Sequence, residues 1–178
     1  MKLVSRMAFC LMLLAGMAFV NGCGPFWVDP YITVKESPLN WVEIHYYNMN
    51  KKPIRRICVY LSGAGYVDVK KGTSDLVSND FAKRYKDANW DKISTHRMEV
   101  SPDHLTEIFQ NLVNHGLLDR EKTGRGSKKK EFKRFIAVKA NVSNNTFSEQ
   151  ENIFETDPDL AEQLLDVVRQ FDTTTRRR

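Results

Sequence analysis

The chain has 178 residues, of which 42% are hydrophobic and 11% aromatic, and its formal net charge is +5. This length fits one ordinary domain with a short address segment and leaves no room for two enzymes. The hydrophobic share excludes the class of intrinsically disordered chains, so we expect a folded core.

The first 22 residues have the layout of a secretory signal peptide. Lys2 and Arg6 precede an apolar run from Met7 to Val20, and small or polar residues follow that run. The run is shorter than the roughly 20 apolar residues that a membrane-spanning helix needs. We therefore predict that residues 1–22 are cleaved as a signal peptide and not retained as an anchor.

The tetrapeptide Val20–Cys23 resembles the lipobox of bacterial lipoproteins, in which an aliphatic residue and two small residues precede an obligatory cysteine. Asn21 departs from the small or aliphatic residue that is usual at its position. The resemblance implies cleavage before Cys23 and attachment of diacylglyceryl and palmitate-type acyl groups to it. By resemblance to the known sorting pattern, Gly24 in place of an aspartate after Cys23 favours the outer membrane, facing the periplasm, if the host is Gram-negative. An ordinary signal peptide without lipidation is the alternative.

Residues 23–30 are predicted to be a short lipidated tether, because this segment contains two prolines and no helical period. If Cys10 leaves with the signal and Cys23 carries the lipid, Cys58 is the remaining thiol and has no partner for an internal disulfide. Cys58 alternates with Ile57 and Val59 in a strand-like run. We interpret it as a small buried hydrophobic residue and assign it no chemistry.

Residues 31–172 are predicted to form a single domain that begins with strands. Runs rich in β-branched and aromatic residues cover residues 31–35, 40–47, 57–62, 66–70 and 93–100. The Gly63–Gly65 segment leaves space for a tight turn but not for a crossover helix, so the strands beside it pair antiparallel. The polar stretch at 72–89 is a loop or a short helix.

Two helices are predicted in the second half of the domain. Ser101 and Pro102 are a cap and first turn for a helix that ends near Gly116 and buries residues 105, 108, 109, 112 and 113. A charged loop leads to a strand at 135–142, a turn at Asn144 and Asn145, and a returning strand at 146–152. Asp157 and Pro158 begin the second helix, and residues 173–178 are expected to be a flexible basic tail.

This order predicts an α+β domain with an antiparallel meander sheet of about five to six strands and two main helices packed on it. The hairpin at residues 63–72 and the segment FQNLVNHGLLD at 109–119 resemble uncharacterised small α+β lipoproteins from several bacterial phyla. The resemblance extends from Ile57 to Phe171 and implies the fold. It implies no activity, because it depends on core residues and turn glycines.

Basic residues in the charged segment before the strand at 135–142 are a candidate contact for an anionic partner, such as lipid headgroups, a cell-wall polymer or an acidic protein face. They are Lys128, Lys129, Lys130, Lys133 and Arg134. The alternative is a solvated loop. Nucleic acid is not an expected partner for an exported chain.

The sequence contains no HExxH, no paired CxxC and no GxSxG motif, so we predict no catalytic residue, metal ligand or cofactor. We expect a non-enzymatic binding or structural module tethered in the cell envelope. Two alternatives stay open. One is an envelope hydrolase in which His45, His96 and Glu99 converge. The other is a carrier of a small ligand, with a cavity on the sheet face lined by Trp41, Tyr46, Tyr47 and Tyr60.

Overall fold

A computed structural model describes residues 32–74, 90–119, 133–149 and 152–174. The predicted signal peptide, the tether with Cys23, residues 75–89, Lys128 to Lys130 and residues 175–178 lie outside these ranges. The strands are β1 (Trp41–Asn48), β2 (Ile54–Ser62), β3 (Tyr66–Ser74), β4 (Trp90–Glu99), β5 (Arg134–Val142) and β6 (Asn145–Glu149). The helices are α1 (Pro102–Asn114), α2 (Ile153–Thr156) and α3 (Pro158–Thr174).

The six strands form one antiparallel sheet in the order β4-β3-β2-β1-β5-β6. The first four strands are a meander, as predicted, and β5 then returns to pair with the free side of β1. The prediction of an α+β domain with an antiparallel sheet and two main helices is confirmed. Among the described residues, no helix is long and apolar enough to cross a membrane.

The main core lies between one face of the sheet and helices α1 and α3. Alternate residues of the central strands point to this face, including Val42, Ile44, Val59 and Leu61. The helices contribute fully buried side chains to the same cluster: Leu105, Phe109, Leu112, Ala161 and Leu164. Because burial of each large apolar side chain is worth about 1.5–3 kcal/mol, this face supplies most of the stabilisation.

Both main helices begin where the sequence predicts. The Ser101 hydroxyl accepts a hydrogen bond from the His104 backbone N–H at 3.3 Å, with Pro102 as the first helical residue. The Asp157 carboxylate accepts one from the Leu160 N–H at 3.2 Å. These caps satisfy backbone donors that the first turn of a helix leaves without partners. Gly116, with a φ of 92°, follows α1.

The predicted strand at residues 31–35 is wrong for the part that the structure describes, because residues 32–35 are not in a strand. The side chain of Gln110 in α1 takes the place of a neighbouring strand. Its amide accepts a hydrogen bond from Val34 N–H at 2.8 Å and donates one to the Ile32 carbonyl at 3.0 Å. With these backbone groups satisfied by a side chain, a run of β-branched residues does not need a sheet.

Two boundaries in the second half also differ from the prediction. The turn between β5 and β6 is centred on Ser143 and Asn144, which both have positive φ, and Asn145 already belongs to β6. This pair of left-handed residues matches the twist of a two-residue hairpin. The short helix α2 was not predicted, and α3 runs to Thr174, past the predicted start of the tail.

An ion-pair cluster holds the end of α3 against the sheet. Arg55 Nη2 lies 2.8 Å from Asp172 Oδ2, and Lys71 Nζ lies 2.7 Å from Asp172 Oδ1. Burial raises the pKa of Asp172, but hydrogen bonds and charge from Lys71 and Arg55 outweigh that effect and leave its pKa below the ordinary 3.8. The carboxylate therefore stabilises the folded chain when it is ionised.

We expect Asp172→Asn to lower the free energy of unfolding by about 1–3 kcal/mol at pH 7, because both cations lose their anionic partner. A depressed pKa contributes stability above the unfolded value near 4, and this contribution is lost as pH falls through the folded pKa. Urea unfolding of both proteins at pH 7 and pH 3 measures the effect. A difference between them that does not shrink at pH 3 contradicts this account.

Candidate functional site

The candidate site lies on the sheet face opposite α1 and α3. The register pairs His45 of β1 with Cys58 of β2, and Cys58 in turn with Lys70 of β3. Glu43 stands two residues before His45 and therefore shares its face. Within the described ranges, the helices pack on the other face, so no described helix covers this surface as α1 and α3 cover the main core.

Glu43, His45 and Cys58 form a compact group that we call the sulfur cluster. Glu43 Oε1 lies 2.6 Å from His45 Nε2. The Cys58 sulfur lies 3.9 Å from Glu43 Oε1 and 4.0 Å from His45 Nε2. The His45 side chain is only 8% exposed and that of Glu43 is 30% exposed, so solvent reaches the group from the Glu43 side.

The environment of Cys58 keeps its thiol protonated. Burial raises the pKa of Cys58 to about 12, and the Glu43 carboxylate adds to the shift, while Arg56 and Lys70 oppose it. Because the thiolate is the nucleophilic form of cysteine, a thiol with this pKa is not an activated nucleophile at neutral pH. The geometry also differs from that of a catalytic triad, because Glu43 and Cys58 both approach the same nitrogen of His45, Nε2, whereas a triad uses the two ring nitrogens for separate partners.

Aromatic rings continue from this group along the same face. Trp41 and Tyr60 are stacked with ring centroids 6.1 Å apart, and Tyr60 and Tyr66 follow at 6.3 Å. The Arg97 guanidinium lies 4.1 Å from the Tyr66 centroid and donates two hydrogen bonds of 2.6 Å to Asp68. We call Trp41, Tyr60, Tyr66 and Arg97 the aromatic row. Its three rings are half-buried and Arg97 is exposed.

The other end of this face is closed. Arg56, Tyr47 and Phe135 are all nearly inaccessible, and the Arg56 guanidinium lies 5.0 Å from the Tyr47 centroid. Tyr47 and Phe135 meet edge to face at 5.7 Å. Burial lowers the pKa of Arg56, and the Tyr47 and Cys58 side chains oppose that shift. This end is a second small core and not a binding surface.

The residues of the hydrolase hypothesis do not converge. His45 lies on β1 and points away from the helices, whereas His96 on β4 pairs with Val69 and shares its helix-facing side. Glu99 is at the end of β4, and two strands separate β4 from β1. Since neighbouring strands are about 4.8 Å apart, β1 and β4 are separated by roughly 14 Å.

The residues of the ligand-carrier hypothesis are divided between the two faces. Trp41, Tyr47 and Tyr60 share the face of the sulfur cluster, but Tyr46 packs against the main core. Trp41 and Tyr60 are neighbours, and Tyr47 is fully buried in the second core. The prediction therefore identified two members of the aromatic row.

The predicted basic contact is described in part. Lys133 is exposed. Arg134 Nη2 lies 3.1 Å from Glu162 Oε1, and its guanidinium lies 4.3 Å from the Phe154 centroid. Arg134 is therefore engaged within the fold, and Lys128, Lys129 and Lys130 lie outside the described residues.

Sequence reasoning missed the sulfur cluster because Cys58 has no metal or catalytic motif around it. The only local signal was the spacing of Glu43 and His45, which puts a carboxylate and an imidazole on one face of a strand. The partner strand and its register with β1 place Cys58 opposite His45. That register is a tertiary property and cannot be derived from spacing.

We expect alkylation of Cys58 by iodoacetamide to be at least a hundredfold slower in the native chain than in guanidinium chloride at pH 8. At that pH, raising the thiol pKa from 9.0 to about 12 lowers the thiolate fraction roughly a thousandfold. Mass spectrometry of the Cys58 peptide follows the reaction. A native rate that levels off near pH 9, instead of rising further, contradicts the raised pKa.

The chain matches no known protein-family model, and the search of curated proteins finds no match either.

Proposed function

We propose that this protein is an exported, lipid-anchored module of the cell envelope that binds another envelope protein through its aromatic row. The module is non-enzymatic, and its anchor is the acylated Cys23. The observation that carries the binding proposal is a half-buried series of neighbouring rings, Trp41, Tyr60 and Tyr66, on a sheet face with no described helix over it.

The signal layout of residues 1–22 and the lipobox-like tetrapeptide ending at Cys23 support export and anchoring. The following residues 24–30 span at most about 25 Å when extended, which would hold the domain near the bilayer. In a Gram-negative host, Gly24 favours the outer membrane, facing the periplasm. The avoidance of paired cysteines in the predicted mature chain agrees with an oxidising compartment, where a second thiol would pair with Cys58.

The composition of the aromatic row supports a protein partner. Trp, Tyr and Arg are the residues most enriched among those that dominate binding energy at protein interfaces. Rings that already contact one another are restrained, so little conformational entropy is lost when a partner covers them. The paired hydrogen bonds from Arg97 to Asp68 fix the guanidinium beside Tyr66 before any partner arrives.

Charge on this face favours a protein over an anionic polymer. Apart from the buried Arg56, the charges on the described part of this face balance, because three cations accompany three carboxylates: Lys70, Arg97 and Lys139 beside Glu43, Asp68 and Glu99. A polymer of repeated anions needs a surplus of cations along its path. The aromatic row offers apolar area instead.

The hydrolase alternative has less support from the same geometry. Its residues His45, His96 and Glu99 are on different faces or distant strands, and the thiol nearest to His45 is protonated. Of the residues proposed for the ligand-carrier alternative, Trp41 and Tyr60 do lie side by side. A protein partner that places a side chain against these two rings would use the same contact surface as a small ligand.

We expect the exported protein to carry the mass of an acylated N-terminal cysteine and to fractionate with membranes. Cys23→Ser should abolish both, whereas the matched variant Cys10→Ser should change neither, because Cys10 lies inside the signal peptide. Intact mass spectrometry and membrane fractionation measure these outcomes. An unmodified soluble protein, unaffected by Cys23→Ser, contradicts the anchor.

A photoreactive phenylalanine analogue at position 66 should form one discrete adduct in cells of the native host, because Tyr66 lies in the row. The same analogue at exposed Asp159 at the start of α3 is the control position and should give none. The adduct should disappear with Trp41→Ala and should be digested by protease. An adduct that resists protease would indicate a polymer, and equal labelling at both positions would contradict a specific surface.

A further inference from the structure

The sulfur cluster has the composition of a transition-metal site. One carboxylate oxygen, one imidazole nitrogen and one sulfur from Glu43, His45 and Cys58 lie within 4.8 Å of one another. We propose that these three side chains bind a sulfur-preferring divalent cation, and that Zn²⁺ fits them best. Zinc takes thiolate, imidazole and carboxylate ligands together.

The distances between the ligand atoms are close to those of a tetrahedral zinc site. With zinc bonds of about 2.0–2.3 Å, such a site places its ligand atoms roughly 3.3–3.6 Å apart. The sulfur is 3.9 Å from Glu43 Oε1 and 4.0 Å from His45 Nε2, so it would need to approach by only a few tenths of an ångström. The 2.6 Å contact between Glu43 and His45 would have to widen. Glu43, at the exposed side, can rotate its carboxylate to allow this.

The backbone that carries these ligands is rigid. His45 and Cys58 are directly paired across β1 and β2, and β1 is held on its other side by β5. Glu43 lies one pleat along the same strand. A metal site built on paired strands in the middle of a sheet keeps its ligands in place without the metal, which lowers the entropy that binding must overcome.

The charges and ligand types select the class of cation. A thiolate and a carboxylate together neutralise a divalent ion, so the buried complex carries no net charge. Mg²⁺ and Ca²⁺ prefer sets of oxygen ligands and would gain little from sulfur and imidazole. The site therefore favours zinc or a chemically similar transition metal.

Three protein ligands leave one coordination position for water or for a group from another molecule. Glu43 is paired across the strands with Tyr60, so this position would border the aromatic row. The metal proposal does not depend on the protein-partner proposal, since metal binding is measured on the purified chain alone.

The test uses the exported, processed protein in mild detergent, stripped of metal with a chelator and titrated with ZnCl₂. We expect the parent chain to bind one zinc ion. Cys58→Ser and His45→Gln should each lower the zinc affinity at least tenfold. The matched control is His96→Gln, which removes a histidine from the opposite face and should bind zinc like the parent. Titration with Co²⁺ should give a thiolate-to-cobalt charge-transfer band that Cys58→Ser abolishes.

Protection of Cys58 keeps the proposal testable if a variant fails to fold. Zinc should slow alkylation of the Cys58 peptide at least tenfold in the parent chain and in His96→Gln, but not in Glu43→Gln. Glu43 is partly exposed, so this conservative change should leave the sheet intact. No protection in the parent, or equal zinc affinity in the parent and the Cys58 and His45 variants, overturns the proposal.

Discussion

The central position of β1 is the constraint on which the rest of the structure depends. All eight of its residues pair with β2 on one side and with β5 on the other. The pairing with β5 joins residues about 90 positions apart and places the first strand of the domain in the interior of the sheet. A slip of β1 by one residue would turn Val42 and Ile44 away from the helices and turn Glu43 into the main core. The hydrogen bonds along both edges of β1 oppose such a slip.

The two faces of this strand serve different purposes. On one face, small and branched apolar side chains pack under α1 and α3, and the Asp172 cluster fastens the end of α3 to β2 and β3. On the other face, β1 carries Trp41, Glu43, His45 and Tyr47 in sequence. Such a row of polar and ionisable side chains would not be needed if this face only packed against another apolar layer. Burying charged groups costs free energy unless they are paired.

Burial changes gradually along that second face, and this gradient explains its chemistry. At the Tyr47 end, Arg56 is fully buried against aromatic rings, which lowers its pKa. In the middle, burial keeps the Cys58 thiol protonated unless a cation replaces its proton.

At the Trp41 end of this face, the aromatic rings are half-buried. Burial also raises the pKa of Tyr60, with Tyr66, Glu43 and Asp68 adding to the shift, so its hydroxyl stays a hydrogen-bond donor. Glu43 therefore acts on both the sulfur cluster and the aromatic row.

The sequence by itself determined the local features of this protein. Alternating runs identified the six strands of the sheet, although the run at residues 31–35 was wrongly predicted to be another. Ser101 and Asp157 marked the helix starts, and helical spacing identified the apolar faces of α1 and α3, because each feature depends on neighbours within a few residues. The tertiary structure alone decided that Gln110 would replace a strand partner for residues 32–34, that β5 would pair with β1, and that Cys58 would lie opposite His45. These outcomes depend on pairing between distant segments, and a one-residue change in register would have put Cys58 on the other face.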